Sequence, residues 1–210
     1  MKEIFPSLFL VSSERAGPDT PFTYLLKRDT GNILLATKAD TPARAREIVS
    51  VGNVTHVLLG DRHHAVPQTV ALAKKLRATV VCSDIEAVVL KKQGVDIDQP
   101  LAYERTRLAP DLEIIPTPGH TRGAFSYLWT HKSRRLLFIG DTIVPVEGRW
   151  KYWVTKPNQA TMRKTVEMLS HEKFDVILSN SFAATPVAWL EVTVRDRAAI
   201  FSDLAHSLKT

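Results

Sequence analysis

The chain has 210 residues, of which 44% are hydrophobic and 24% are charged, and its formal net charge is +6. This composition excludes a disordered chain or a fibrous repeat, and no apolar run reaches the roughly 18 residues that a membrane span needs. The basic residues are scattered rather than interleaved with aromatic residues in a stripe, so the charge does not predict a nucleic-acid partner.

The cysteine count and the N-terminus bear on the location of the protein. Cys82 is the only cysteine, which excludes an intrachain disulfide and favours a reducing compartment. The first ten residues contain Pro6 and lack the long apolar core and cleavage site of a secretory signal. We therefore expect a cytoplasmic protein.

The first half of the chain predicts strands that alternate with helices. Thr-Gly-Asn at 30–32 indicates a hairpin turn, and Thr41 before Pro42 indicates a capped helix start. Asp84 is the predicted cap of a later helix, which Gly94 ends. The predicted elements are strands Phe22–Lys27 and Ile33–Ala36, helix Pro42–Val49, strand Val54–Leu59, helix Pro67–Arg77, strand Thr79–Cys82 and helix Asp84–Gln93.

The second half opens with three strands in quick succession, which is typical of an antiparallel meander. The predicted elements are strands Leu112–Pro116, Ala124–Trp129 and Arg135–Ile139, helix Asn158–Ser170, strand Val176–Leu178 and helix Arg195–Leu208. Each half thus has strands covered by helices, and no linker separates the halves. We predict one domain over residues 1–210, of the α/β (α+β) class, built as a four-layer αβ/βα sandwich.

Three motifs place metal-binding residue types directly after apolar strands. Asp61, His63 and His64 follow the first strand, a Pro-Gly turn projects His120 from the second, and Gly-Asp ends the third at Asp141. Each motif alone has an ordinary explanation as a polar loop, a turn histidine or a capping aspartate. Because α/β sheets place ligand sites at the carboxyl ends of strands, the three together predict a metal site. Two carboxylates and three imidazoles suit Zn²⁺, Fe or Mn²⁺.

Two of these motifs carry a resemblance to a known family. Thr-Pro-Gly-His-Thr at 117–121, followed about twenty residues later by Phe-Ile-Gly-Asp-Thr at 138–142, resembles the metallo-β-lactamase superfamily over nearly the whole chain. The resemblance implies that His120 binds metal and that Asp141 is a carboxylate bridging two metals. It also implies hydrolysis of an amide, thioester, lactone or phosphoester by a metal-activated hydroxide.

The chain departs from the family's first motif, His-any-His-any-Asp-His, because residues 59–64 read Leu-Gly-Asp-Arg-His-His. Aligned on the last histidine, His64 is retained and His63 replaces the aspartate. Asp61 and Leu59 then replace the second and first histidines. The family's final histidine is expected near Ser181, where the chain has none. The predicted metal ligands are Asp61, His63, His64, His120 and Asp141.

Three functions remain open from the sequence. The first is a hydrolase with one or two Zn or Fe ions, in which Asp61 or His63 is the catalytic residue that orients water toward an ester, thioester or related carbonyl of a small-molecule substrate. The second is a binding or regulatory protein without catalysis, which Leu59 favours. The third is a nucleic-acid-processing relative, motivated by the net charge but opposed by the lack of room for a clamping domain.

Several further residues each allow two interpretations. Arg62 and Arg122 either bind an anionic substrate group or are exposed loop residues. The aromatic cluster of Trp150, Tyr152 and Trp153 either walls the pocket or packs in the core. The apolar stretch at 185–190 is either an interface of a homo-oligomer or a buried edge.

Overall fold

The computed structural model describes residues 1–11, 22–35, 41–181 and 189–208. Ala36 of a predicted strand and residues 185–188 of the apolar stretch lie outside the described residues. Two large sheets stack face to face, and helices cover the outer side of each sheet.

The first sheet has seven strands, which follow one another in chain order across the sheet. They are β1 (Lys2–Phe5), β2 (Leu8–Leu10), β3 (Tyr24–Leu26), β4 (Asn32–Leu35), β5 (Val54–Leu58), β6 (Thr79–Ser83) and β7 (Gln99–Leu101). The predicted hairpin is confirmed, since β3 and β4 pair antiparallel with Tyr24 opposite Leu35. Strands β4 to β7 pair in parallel, so their carboxyl ends share one edge of the sheet.

Three helices cover the outer face of this sheet, and they are α1 (Ala45–Val51), α2 (Pro67–Leu76) and α3 (Asp84–Lys92). Both predicted caps are wrong. Thr41 opens a 3₁₀ turn instead, and α1 begins after it at Ala45 without a side-chain cap. The cap of α3 is Ser83, whose hydroxyl accepts the N–H of Glu86 at 3.1 Å, because Ser83 still has extended backbone while Asp84 is already helical.

The remaining strands are β8 (Thr106–Ala109), β9 (Leu112–Pro116), β10 (Phe125–His131), β11 (Arg134–Phe138), β12 (Val144–Val146), β13 (Arg149–Lys151), β14 (Val176–Leu178) and β15 (Trp189–Glu191). Six of them form the second sheet in the order β15-β14-β11-β10-β9-β8, and β12 pairs with β13 in a separate hairpin. The predicted meander of β9, β10 and β11 is confirmed by antiparallel pairing. Strand β14 pairs with β11 in parallel.

Two helices, α4 (Gln159–Ser170) and α5 (Val194–Ser207), cover the outer face of the second sheet. Helix α5 begins with a capping box, in which Thr193 and Asp196 exchange side-chain to backbone hydrogen bonds. Among the described residues, the helices are all too short or too polar to traverse a bilayer.

The strand alternation explains the four layers. On β4, Ile33 and Leu35 point into the core between the sheets, whereas Leu34 points out toward the helices. On β11, Leu136 and Phe138 likewise face the other sheet, and Leu137 faces α4 and α5. Because both faces of each sheet are buried, the αβ/βα arrangement predicted from the sequence is confirmed.

Candidate metal centre

The three sequence motifs converge at one end of the sandwich. Gly60 follows β5 in the first sheet, and its carbonyl accepts the N–H of Phe125 from the second sheet at 2.7 Å. The carboxyl ends of β9, β11 and β14 lie at this same end of the second sheet. The strand pairing therefore brings together side chains that are 80 residues apart in the sequence, from Asp61 to Asp141.

The loop after β5 sends its two histidines in different directions. Asp61 caps a 3₁₀ turn at Arg62–His64, and its carboxylate accepts the N–H of His63 at 2.8 Å. The side chain of His63 is 44% exposed, whereas that of His64 is fully buried. The tight turn thus directs the two adjacent rings apart, so that the ring of His63 faces the pocket and the ring of His64 faces the interior.

The turn that carries His120 depends on a glycine. Gly119 has φ +147°, and a Cβ atom there would lie 2.7 Å from Cε of Met162 in α4. Beyond the turn, Nδ1 of His120 lies 2.9 Å from the carbonyl oxygen of Trp153. A carbonyl only accepts, so Nδ1 carries the proton and Nε2 presents its lone pair to the centre of the site.

Asp141 is held by a turn that contacts the His120 turn. Gly140 has φ +58°, and the hydroxyl of Thr142 donates to Oγ1 of Thr117 at 3.1 Å. Asp141 is only 7% exposed, and its Oδ1 makes no hydrogen bond of good geometry with a described residue, although Nε2 of His64 lies 3.5 Å away. A buried carboxylate oxygen without a donor is costly, which is consistent with a cation belonging at this position.

Four of the five predicted ligands come together. Ligand atoms of Asp61, His63, His120 and Asp141 all lie within 4.8 Å of one another. Nε2 of His120 is 3.1 Å from Nδ1 of His63 and 3.9 Å from Oδ2 of Asp141, and Nδ1 of His63 is 3.4 Å from Oδ1 of Asp61. Four ligands at zinc bond lengths of about 2.0–2.1 Å in a tetrahedron are about 3.3 Å apart. The donor set and its spacing therefore fit a zinc ion.

His64, the fifth predicted ligand, lies outside this group of four. Its Nδ1 is 3.6 Å from Oδ1 of Asp61, and its Nε2 is 3.5 Å from Oδ1 of Asp141 and 3.3 Å from the carbonyl oxygen of Asn180. Gly60 leaves room for the ring, because a Cβ atom there would lie 3.3 Å from Nδ1. The structure thus places His64 against both carboxylates from the buried side.

The two carboxylates attract positive charge to the site. Contacts with Asp141 and then Asp61 raise the pKa of His63 to about 10, although partial burial opposes the shift. Burial lowers the pKa of His64, but the charges of Asp141 and Asp61 outweigh it and raise that pKa to about 9. Burial raises the pKa of Asp141 in turn, and the charge of His64 with the contact to His63 outweighs it and holds the pKa well below its usual range. The two carboxylates thus favour the protonated form of both imidazoles, which indicates a position where positive charge is stabilised.

A buried carboxylate that was not predicted from the sequence supports the site from the interior of the protein. Glu86 has no exposed surface, its Oε1 accepts the N–H of Gly123 at 2.9 Å, and its Oε2 lies 3.3 Å from Nη1 of Arg62. Arg62 is therefore committed to an internal ion pair rather than to a substrate anion. A glutamate in the first turn of a helix has an ordinary helix-dipole explanation, so no sequence signal distinguished it.

Leu59 and Ser181 stand at the two positions where the resemblance implies histidine ligands and the chain has none. Leu59 packs in the core beneath the helices, and its carbonyl accepts the hydroxyl of Tyr127 at 2.7 Å. Ser181 lies in a pocket of about 380 Å³ and is not one of the four grouped residues. The other residues lining this pocket are His63, His120, Asp141, Val144 and Trp153.

Comparison with known proteins identifies the fold. No protein-family model and no curated protein sequence matches the chain. Solved structures do match. A metallo-β-lactamase of Cronobacter sakazakii with a HARLDQ motif superposes with a TM-score of 0.66 at 20% identity, covering 85% of this chain and 79% of that one.

Two further structures agree. The metallo-β-lactamase GOB-18 of Elizabethkingia meningoseptica has a TM-score of 0.68 at 18% identity, with 97% of this chain and 88% of that chain covered. The class B3 di-zinc metallo-β-lactamase LRA-12 from an Alaskan soil metagenome has a TM-score of 0.67 at 14% identity, with 97% and 90% covered. The chain therefore has the metallo-β-lactamase fold, and at its strand ends it carries a group of residues suited to a metal ion.

Proposed function

We propose that this protein is a zinc-dependent hydrolase that acts on a carbonyl substrate such as an ester, thioester or lactone. The observation that carries the proposal is the group of four ligand atoms within 4.8 Å, which opens into the pocket at the strand ends. A bound zinc ion supplies Lewis acidity, which polarises a carbonyl and makes a coordinated water more acidic.

The proposed ligands of one ion are Asp61, His63, His120 and Asp141. The hydrogen bond from His120 to the Trp153 carbonyl and the bond from the His63 N–H to Asp61 orient two of them. His64, in its protonated form, contacts both carboxylates and holds them in place. In this role it does not bind a second ion. We therefore propose one ion, with zinc favoured over iron because two imidazoles and two carboxylates suit it and because a structural neighbour is described as di-zinc.

A zinc ion held by all four residues would have no open position for substrate, so one of the four side chains would have to move aside. His63 is the most exposed of the four and lies on the pocket, whereas Asp61 and Asp141 are buried. We assign this role to His63. Its Nδ1 then takes a proton from the attacking water, and Asp61, whose Oδ1 is 3.4 Å away, stabilises the imidazolium until the proton passes to the leaving group.

A second candidate function is a metal-binding protein without catalysis. It is favoured by the same geometry, because four protein ligands around a tetrahedral ion are typical of structural zinc sites. The buried Leu59, at the position of a family ligand, adds to this alternative. The two functions differ in what His63 does, since a structural site needs it as a permanent ligand and a hydrolase needs it to move.

The first experiment measures the metal content of the untagged protein by inductively coupled plasma mass spectrometry. We expect about one equivalent of zinc in the parent protein and in the control His206→Ala, whose imidazole is exposed on α5. His120→Ala should lose the metal. An absence of metal in the parent protein, even after incubation with Zn²⁺, Fe²⁺ or Mn²⁺, would overturn both candidate functions.

The second experiment compares the candidates through His63→Gln in a screen of esters, thioesters and lactones. For a hydrolase, the variant keeps much of its zinc through the other three ligands and loses about 10²- to 10⁴-fold in turnover, as expected for a lost general base. For a structural site, the parent protein turns over none of these substrates and the variant loses zinc.

A further inference from the structure

The strongest unexplained feature of the pocket is the indole of Trp153. This side chain is 55% exposed, although it is among the largest apolar side chains in the protein. Other apolar residues, such as Val88 and Val194, are also exposed, but isolated exposure of a valine is ordinary. Trp153 differs because its side chain lines the pocket that contains the proposed ligands.

The main chain of Trp153 is fixed relative to the site. Its carbonyl oxygen accepts the Nδ1 proton of His120 at 2.9 Å. The preceding residue, Tyr152, is partly buried against the helix-covered face of the second sheet, and its hydroxyl donates to the carbonyl of Ser207 at 2.7 Å. Trp150 packs in the same core, so the aromatic cluster is divided between packing and the pocket. The main chain of Trp153 is therefore held beside the proposed ligand His120, and the exposed indole belongs to a residue that lines the same pocket.

The pocket offers this indole no lysine or arginine companion that would select an anionic substrate. None of the described residues that line it is Lys or Arg. The nearest arginine in the sequence motif, Arg62, is paired with the buried Glu86 at 3.3 Å. Val144 adds a second apolar surface. A substrate carboxylate or phosphate would thus lack the bidentate partner that such groups use in proteins.

We propose that the substrate is an uncharged carbonyl compound with an aryl group, and that the aryl group packs against the indole of Trp153. This inference rests on the proposed function, because the carbonyl must lie at the zinc. Stacked or edge-to-face aromatic pairs stabilise a complex beyond the area they bury, and a pocket of about 380 Å³ accommodates a single-ring substituent. Trp153 is then the residue that determines which acyl compounds bind.

Two chelating probes test this separately from turnover. Acetohydroxamate and phenylacetohydroxamate have the same metal-chelating group and differ in the ring. Isothermal titration of the zinc-loaded protein should give an affinity about 3- to 12-fold higher for the phenyl compound, which corresponds to the energy of one aromatic contact. In Trp153→Ala this ratio should fall below about 2, and Trp153→Phe should keep most of it. Val88→Ala, an exposed apolar residue elsewhere, should leave the ratio unchanged.

The outcomes distinguish failure of the proposed hydrolase site from failure of the role of Trp153. If neither hydroxamate binds the zinc-loaded protein, the zinc is closed to substrate, and the proposed hydrolase fails together with the inference. If both bind the parent protein equally, or if the ratio persists in Trp153→Ala, the metal site stands and the aryl-binding role of Trp153 is overturned. A third probe, 4-carboxyphenylacetohydroxamate, should bind no more tightly than the phenyl compound, and tighter binding would overturn the uncharged substrate.

Discussion

Glu86, which has no exposed surface, lies 3.3 Å from the guanidinium of Arg62, a residue that stands between Asp61 and His63 in the sequence. The same carboxylate accepts the N–H of Gly123, three residues after His120. One buried charge on α3 thus ties together the two loops that supply Asp61, His63 and His120. The architecture of the site depends on this helix although the helix supplies no proposed ligand.

Replacing Glu86 should destabilise the fold. Glu86→Ala leaves the Gly123 N–H without an acceptor and Arg62 without its partner, so we expect the free energy of unfolding to fall by about 3 kcal/mol. Glu86→Gln keeps an oxygen for Gly123 and should lose about 1–2 kcal/mol. Urea denaturation measures both. Glu167→Ala, which removes an exposed helical glutamate, should change stability by less than about 0.5 kcal/mol, and an equal effect of Glu86→Ala and Glu167→Ala would contradict the role.

Zinc affinity should rise with pH. Without metal, the pKa of His63 is raised to about 10, so its ring is protonated at neutral pH and must lose that proton to bind zinc. The apparent affinity should therefore increase about tenfold per pH unit between about pH 6.5 and 8.5, as release of one proton requires. Competition with a chromophoric chelator measures this slope.

The size of the slope reports on His64. The pKa of its ring is raised to about 9, so it also holds a proton over this pH range. If His64 stays protonated against the two carboxylates, one proton is released for each zinc bound. A slope of two would place His64 among the ligands and overturn its assigned role. His63→Ala should abolish the slope.

Gly119→Ala should cost more than an alanine at another glycine of positive φ. At Gly119 the backbone has φ +147°, and the new Cβ would also collide with Met162 at 2.7 Å. At Gly148, in the tip of the β12–β13 hairpin, φ is +77° and no atom lies within 4 Å of the new Cβ. We expect a loss of about 1 kcal/mol for Gly148→Ala and about 2–4 kcal/mol for Gly119→Ala by urea denaturation. Similar losses would show that Met162 does not confine the His120 turn.

Zinc should stabilise the fold through Asp141. Free zinc at 100 times its dissociation constant raises the free energy of unfolding by about 2.7 kcal/mol if only the folded state binds. Asp141→Asn removes a negatively charged oxygen at the buried centre, so the same zinc concentration should stabilise this variant far less. Thermal unfolding with zinc or with a chelator measures the effect, and the exposed Asp203→Asn should respond as the parent protein does. An undiminished zinc response in Asp141→Asn would remove Asp141 from the site.

The core of the fold could be predicted from the sequence, and its edges could not. Strands such as β5 and β9 are apolar runs between clear turn signals. By contrast, β1 begins with two exposed charged residues at Lys2 and Glu3, and β7 contains Pro100, so neither has the pattern of a strand. These edge strands form because a neighbouring strand offers hydrogen-bond partners, and this information is not local.

The candidate site divides in the same way. Asp61, His63, His120 and Asp141 could be found because each follows an apolar strand. The buried side of the site could not, since the contact of His64 with both carboxylates depends on a 3₁₀ turn, and Glu86 reaches Arg62 only after α3 has packed. The hydrogen bond from the His120 ring to the Trp153 carbonyl joins residues that are 33 apart in the sequence. Its acceptor is a main-chain atom, which every residue has, so the sequence could not predict it.

The four grouped residues come in equal numbers from the two halves of the sandwich, with Asp61 and His63 beside the first sheet and His120 and Asp141 beside the second. Neither half alone offers more than two of them. Asp141 is the last of the four to be synthesised, and the four come together only after the two sheets have docked. If the proposed zinc site exists, tight zinc binding would indicate that the two halves have assembled correctly, because either half alone would offer the ion only two donors.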